Sequence, residues 1–372
     1  MAFVDDFFSA APSQMAQQNF DLFKDLLKTL GFFLKEEKET PPTQKGPLLG
    51  VEVSLRENGA GSFSLSDTRR KYYLARAQQV LKDDYISPGD AAKLAGALCF
   101  APSVTLAKLG RPFLQPLYAA ASMEPIPEFR DLADELVYGV WLQGPRGKAL
   151  PSRLRNALEW WTQLLTAFPS SEFLWDAPLD RPLNDVFTDA SAERRWEGLG
   201  GVIFLGDTHG ARTVRCLTPE VLEPFLPSKE SQKVRIYQLE LLAVLVTLRT
   251  AAPLLRNSLT RLHIDNLAAM YCFINCYSGN AFMARLSAAI WAILLEYRII
   301  PFLDYVPSKE NVSDVFSRPD LVAEGDLLTR KWKWRSLDPT PFFLPLSQVL
   351  QTSPKDAWIN LFPRLYSGAQ DT

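Results

Sequence analysis

Val186-Phe-Thr-Asp-Ala190 is the stretch on which the reading of this chain turns: an aromatic and β-branched run that predicts a strand and brings a carboxylate to its end. Two more strand-like runs follow, Gly200-Gly-Val-Ile-Phe-Leu205 and Arg212-Thr-Val-Arg-Cys-Leu217, joined through Gly206-Asp-Thr-His-Gly210. Two hairpins in series start an antiparallel sheet. Tyr237 to Leu255, rich in Leu, Ala and Val, predicts a long helix, and Arg261-Leu-His-Ile-Asp265 a fourth strand. A helical region through Ile293, a fifth strand Ile300-Pro-Phe-Leu-Asp-Tyr-Val306 and a helix starting at Asp314 complete the unit. The order β-β-β-α-β-α-β-α over residues 185–320 predicts a five-stranded mixed sheet flanked by helices, in a chain of α+β or mixed class.

Four acids are spread over this unit: Asp189 on the first strand, Glu240 near the start of the long helix, Asp265 at the end of the fourth strand and Asp314 at the last helix. Each lies in apolar sequence, where a lone buried charge is costly unless a cation satisfies it. Taken singly, Asp314 reads equally as a helix cap and Glu240 as a solvated charge in a first turn. Taken together, four mutually repelling carboxylates imply a divalent metal. Oxygen-only ligands suit Mg²⁺, with Mn²⁺ as a substitute, and two such ions about 3.5–4 Å apart can drive in-line phosphodiester displacement. The chemistry expected is that of a nuclease.

Composition bounds the rest. The chain has 372 residues, 47% of them apolar, enough for two or three domains, and a formal net charge of -2 that rules out a generally cationic surface. Positive charge is local: Arg56 to Tyr118 holds nine Lys or Arg against five Asp or Glu, including Arg69-Arg70-Lys71. That stretch reads either as a phosphate-contacting face or as an ordinary solvated helix. Cys99, Cys216, Cys272 and Cys276 match neither a disulfide framework nor a complete zinc site, and Cys272 and Cys276 are expected as buried thiols. The cysteine usage points to the interior of the cell, with cytoplasm and nucleus both open. Neither a signal peptide nor an apolar run of about 18 residues is present, so no membrane span is expected.

Residues 1–55 open with two short acidic positions in an apolar run, Phe3-Val-Asp5-Asp6, then an amphipathic helix from Ser13 to Leu30 and strand candidates at Phe32-Phe-Leu34 and Leu48-Leu-Gly-Val-Glu-Val53. Residues 56–121 predict a small helical domain with helices starting near Ser66 and Ser87 and a third over Thr105 to Leu117. Residues 122–184 predict a connector with helices near Phe129 to Leu142 and Leu154 to Phe168. In the tail, 321–372, Lys331-Trp-Lys-Trp-Arg335 alternates aromatic and basic residues, a pattern of a stacking surface or of two tryptophans packed on the preceding domain.

Phe187-Thr-Asp-Ala-Ser191, the Glu240 helix, Leu262-His-Ile-Asp-Asn266 and Asn311-Val-Ser-Asp-Val-Phe-Ser-Arg318 resemble the four motifs of the ribonuclease H domain of retroelement reverse transcriptases, the last motif most resembling those of long-terminal-repeat or tyrosine-recombinase retrotransposons. The resemblance implies metal binding by Asp189, Glu240, Asp265 and Asp314 and, as substrate, the RNA strand of an RNA-DNA hybrid. Arg69, Arg70, Lys71 and Arg318 are the accompanying nucleic-acid contacts expected. The helper histidine some of these enzymes place before the last Asp has no counterpart; His209 and His263 lie elsewhere, and His263 reads as packed or solvent-facing rather than catalytic.

Upstream, Phe3-Val-Asp5-Asp6 resembles the aromatic-x-Asp-Asp box of the reverse-transcriptase palm, residues 56–121 the thumb and 122–184 the connection. Asp5 and Asp6 would be remnant polymerase ligands. The polymerase module implied is incomplete and inactive, because a further metal-binding Asp and the fingers do not fit before Phe3; a separate chain supplying palm and fingers is the partner it would require. Two other readings stay open: a DNA-cleaving nuclease of related fold, and an inactive scaffold that binds nucleic acid or protein.

Overall fold

The computed structural model of the chain describes residues 2–3, 6–56, 60–105, 108–122, 126–129, 136–139, 150–166, 171–174, 181–193, 196–206, 211–216, 232–278, 280–331 and 335–341. Asp5, His209 and the tryptophans at 332 and 334 lie outside them. At the start, β1 (Ala2–Phe3) and β2 (Asp6–Phe7) pair antiparallel. Helix α1 (Ser13–Thr29) carries the predicted apolar stripe but buries only Leu27, leaving Leu22, Leu26 and Leu30 exposed. The expected strand at Phe32-Phe-Leu34 is absent: Phe32 folds back edge-on to Phe7, and Phe33 is 91% exposed.

Leu48 to Val53 is likewise not one strand. Leu49 and Gly50 both take positive φ, 49° and 86°, so the run splits into β3 (Lys45–Leu48) and β4 (Val51–Leu55) around a two-residue turn. Next come β5 (Ala60–Leu65), α2 (Asp67–Asp83), α3 (Pro88–Thr105) and α4 (Gln115–Ser122). The third helix begins later than the sequence predicts because the chain first makes a tight turn over Arg111–Phe113, and Pro116 then serves at a first-turn position, where its missing N–H costs nothing.

Where a helix is expected near Phe129 to Leu142, the described residues form a hairpin, β6 (Ile126–Phe129) with β7 (Leu136–Gly139); prolines at 125 and 127 favour extended backbone there. Helix α5 (Ser152–Thr166) buries Trp160 and Trp161, and Trp160 stacks on Phe113 at 3.9 Å. Strand β8 (Ser171–Leu174) closes a four-stranded antiparallel sheet in the order β3-β4-β5-β8.

The remaining elements are β9 (Leu183–Glu193), β10 (Trp196–Phe204), β11 (Ala211–Cys216), α6 (Gln232–Ala251), β12 (Leu259–Ile264), α7 (Leu267–Asn275), α8 (Ala281–Glu296), β13 (Ile300–Tyr305), α9 (Asp314–Ser317), α10 (Val322–Lys331) and β14 (Arg335–Leu337). They build a mixed α/β unit around the sheet β13-β12-β9-β10-β11-β14. The five strands expected within 185–320 are joined by a sixth from the tail, which pairs parallel to β11. β9, β10 and β11 are antiparallel; β12 and β13 run parallel to β9.

Adjacent residues on β10 point to opposite faces of the sheet. On one face Gly201 lies against Thr247 of α6, within the large core that α6 and α8 cover. On the other, Gly200 admits the backbone of α9, and Phe316 of α9 packs on Val202 beside Phe187 and Phe204. Cys272 and Cys276 are buried, as the sequence predicts. Among the described residues no helix is long and apolar enough to cross a membrane.

Candidate metal centre

The parallel pairing of β12 with β9 ends at Ile264 opposite Thr188, so from Asp189 onward β9 outlasts its neighbour and the sheet opens into a notch. Three acids meet there. Asp189 is the first residue of β9 past the last pair. Asp265 is the first residue past the end of β12, fixed because the next residue, Asn266, caps α7 by accepting from the Ala269 amide at 3.0 Å. Glu240 reaches in from α6 and accepts the amide of Ala190. One carboxylate oxygen from each of the three lies within 4.8 Å of the other two.

Asp189 and Glu240 are each only 4% exposed. Burial, reinforced by the neighbouring carboxylates of Asp265 and Asp314, pushes the Asp189 carboxyl up to about 7, although the Ser317 hydroxyl and Arg318 pull it back. Burial and the same neighbours hold Glu240 well above the usual carboxylate range. Glu240 Oε2 and Asp265 Oδ1 are buried without a hydrogen-bond partner among the described residues. Orphaned, crowded, oxygen-only ligands are what a hard divalent cation satisfies, so the residues present fit Mg²⁺.

Asp314, the fourth acid, stands at the first position of α9, outside the tight trio yet near enough to act on Asp189 and Glu240. Arg318 Nε donates to its Oδ1 at 2.7 Å. What holds α9 in place was not foreseen from sequence. Ser317 donates its hydroxyl to Asp189, and Ser191 donates to the Ser317 carbonyl at 2.5 Å. Asn311 Nδ2 donates to the Thr188 carbonyl at 2.9 Å while its Oδ1 accepts from the Ser313 hydroxyl at 2.6 Å. The polar residues of Asn311-Val-Ser-Asp-Val-Phe-Ser-Arg318 were the available signal: Asn311 and Ser317 fasten the turn that carries Asp314 to the strand that carries Asp189, while Ser313 and Arg318 bond within the turn, to Asn311 and Asp314.

The other candidate residues are dispersed. Asp6 pairs with Phe3 in the N-terminal hairpin. Arg70 donates to the carbonyls of Leu165 and Thr166 and pairs with Asp67, and Arg69 lies over the Phe100 ring at 5.1 Å, whereas Lys71 is exposed. His263 is packed, stacking on Phe187 at 4.1 Å with Nε2 2.8 Å from Asp185 Oδ1.

The raised carboxyls have a measurable sign. Folded Asp189 and Glu240 bind protons more tightly than in the unfolded chain, so their contribution to stability is greatest at acid pH and is lost as pH rises from about 4 through about 7. The metal-free protein should melt lower at about pH 8 than at about pH 5.5, and saturating Mg²⁺ should restore more at the higher pH. A Mg²⁺-induced rise in melting temperature that is absent, or equal at the two pH values, would count against a metal at these acids.

No protein-family model and no curated protein matches the chain. Among solved structures, 38% of the chain is similar to RNase H1 from the halophilic archaeon Halobacterium salinarum NRC-1, covering 98% of that chain at 14% identity with a TM-score of 0.28. A further likeness, over 40% of this chain and 99% of the other, is to the N-terminal RNase H domain of rv2228c from Mycobacterium tuberculosis, as a fusion with maltose-binding protein, at 13% identity and a TM-score of 0.30.

Proposed function

We propose that the unit spanning 185–320 is a divalent-metal-dependent ribonuclease H that hydrolyses the RNA strand of an RNA-DNA hybrid. The observation that carries this reading is the convergence of Asp189, Glu240 and Asp265, from two strands and a helix, into one buried cluster with orphaned oxygens. Asp189, Glu240, Asp265 and Asp314 would hold Mg²⁺ or Mn²⁺. The bound ion supplies Lewis acidity toward the phosphate and a nucleophilic water at neutral pH.

The chain's own residues prepare for that. Ser317 fixes the rotamer of Asp189, and the Ala190 amide orients Glu240. Arg318, tied through Nε to Asp314 and 41% exposed, offers guanidinium N–H groups to a phosphate at the rim of the acids. Lys71 is a further candidate contact.

We further infer that residues 1–55, 56–121 and 122–184 correspond to part of the palm, the thumb and the connection of a retroelement reverse transcriptase. The hairpin that carries Asp6 and the helices α2 to α4 are compatible with that origin.

The deciding experiment is cleavage of end-labelled RNA in an RNA-DNA hybrid, with Mg²⁺ or Mn²⁺, beside duplex RNA and duplex DNA. The expected result is metal-dependent scission of the hybrid's RNA strand alone. Cutting of duplex DNA instead would move the activity to a DNA nuclease, and no cutting of any substrate by folded protein would leave a binding scaffold.

A further inference from the structure

Of the four acids, Asp314 is the one that a cation of the chain already answers. Among the described residues Asp189, Glu240 and Asp265 form no ion pair, and Glu240 Oε2 and Asp265 Oδ1 have no hydrogen-bond partner. Asp314 Oδ1 instead accepts from Arg318 Nε at 2.7 Å. The carboxylate that stands outside the tight trio is thus the one held by a guanidinium.

Local backbone sets up that pair. Arg318 ends α9 in extended conformation, with φ −111° and ψ 128°, and Pro319 after it favours that conformation. Before it, Ser317 is fastened at its hydroxyl to Asp189 and at its carbonyl to Ser191. The Arg318 backbone is therefore fixed, and its side chain reaches back four residues to Asp314. Burial works against the Arg318 charge, but Asp314, Asp189 and Asp320 outweigh it and hold its pKa above the ordinary arginine value. The side chains of Arg318 and Asp314 are 41% and 29% exposed, so water screens their attraction and leaves the pair weak enough for a divalent cation to displace. A guanidinium and a divalent cation on one carboxylate divide its charge and repel each other across it.

We propose that Arg318 is a positioning residue of the metal centre: it holds Asp314 apart from Asp189, Glu240 and Asp265, so that an ion taken by those three gains its fourth carboxylate only as the Arg318–Asp314 pair opens. Arg318 and the divalent ion compete for Asp314, and the pair sets the affinity of the centre from outside the ligand set. This assignment rests on the reading of the four acids as the metal centre of a nuclease.

The test is Mn²⁺ binding by the full chain without nucleic acid, followed by the electron paramagnetic resonance signal of the free ion, in a cycle of Arg318→Gln, Asp314→Asn and the double variant. Arg318→Gln should tighten Mn²⁺ binding about tenfold while Asp314 is present, and by less than about twofold in the Asp314→Asn background. Arg318→Lys, which keeps the charge but replaces the planar fork with a compact ammonium, should fall between the wild type and Arg318→Gln. Melting curves in EDTA check that each variant folds; should Arg318→Gln fail, Arg318→Lys carries the cycle. A gain of equal size in both backgrounds would show that Arg318 acts by its charge alone, and wild-type affinity in a folded Arg318→Gln would show that it does not compete for Asp314. Either result overturns the proposal and leaves the metal centre standing. Absence of Mn²⁺ binding by the wild type and every variant would remove the metal centre and the proposal with it. A wild type that shows the expected cycle yet never cleaves the hybrid keeps the Arg318 competition and loses the nuclease.

Discussion

Asp189→Asn is expected to abolish metal-dependent RNA cleavage while raising the melting temperature of the metal-free protein. The two effects have one cause. In the folded chain Asp189 is buried, and its carboxyl is pushed up to about 7 by that burial and by Asp265 and Asp314. Asparagine keeps the shape and, through its side-chain carbonyl, still accepts the Ser317 hydroxyl, but it removes a charge that folding must otherwise bury beside other acids. Stability above pH 7 should rise by about 1–3 kcal/mol, or a few degrees. Cleavage should fall by about a thousandfold or more, because a neutral amide cannot hold the cation that stabilises charge at the reacting phosphate. Single-turnover cleavage and thermal melting of the same preparation decide it. A variant that cleaves normally would remove Asp189 from the metal site, and one that loses both activity and stability would show that Asp189 serves to hold the fold together.

The site was legible to the extent that its chemistry lies in residue type and its position in local pattern. Asp265 could be assigned to a strand end and Asp189 to a strand because apolar runs lead into them, although the strand of Asp189 runs on to Glu193 rather than ending there, and Glu240 to a helix because Leu, Ala and Val recur around it. Their meeting depends on β9 and β12 being parallel neighbours and on β12 being the shorter, which follows from topology rather than from any local run. Ser317 was opaque for the same reason: its partner is 128 residues away. The sixth strand, Arg335–Leu337, is three residues long and lacks alternation, so only the open edge of β11 recruits it.

Errors in the first half of the chain came from backbone conformations that composition conceals. Leu49 sits inside an apolar run yet adopts the left-handed region, a choice imposed by the hairpin around it rather than by leucine. Arg69 and Arg70 look like a cationic patch in a linear sequence. In three dimensions Arg69 lies over an aromatic ring while remaining exposed, and Arg70 donates to the carbonyl end of a helix 95 residues away.

Gly200→Ala should be a severely damaging methyl group to add to the sheet unit. Gly200 pairs with Asp189 across β9 and β10, and both face α9. A Cβ there would stand 2.7 Å from the Ser313 carbonyl oxygen and the Ser317 amide nitrogen and 2.8 Å from the carbonyl carbon of Phe316. All three are backbone atoms, so no side-chain rotation gives relief and α9 must lift from the strand. Lifting it withdraws Phe316 from Val202, breaks the bonds of Ser317 to Asp189 and Ser191, and carries Asp314 away from the other acids. A loss of about 3 kcal/mol is expected, with a melting temperature lower by on the order of 5–10 °C and cleavage reduced to near background. Gly201→Ala supplies the contrast. Its Cβ meets the side chain of Thr247, with Oγ1 at 2.3 Å and Cγ2 at 2.6 Å, so Thr247→Ala should recover part of the stability that Gly201→Ala loses. No such partner exists for Gly200: Ser313→Ala and Ser317→Ala leave the obstructing backbone where it is. If Gly200→Ala melts and cleaves like the wild type, or is rescued by either serine substitution, α9 is not seated against β10 as described and the fourth acid does not belong to the site.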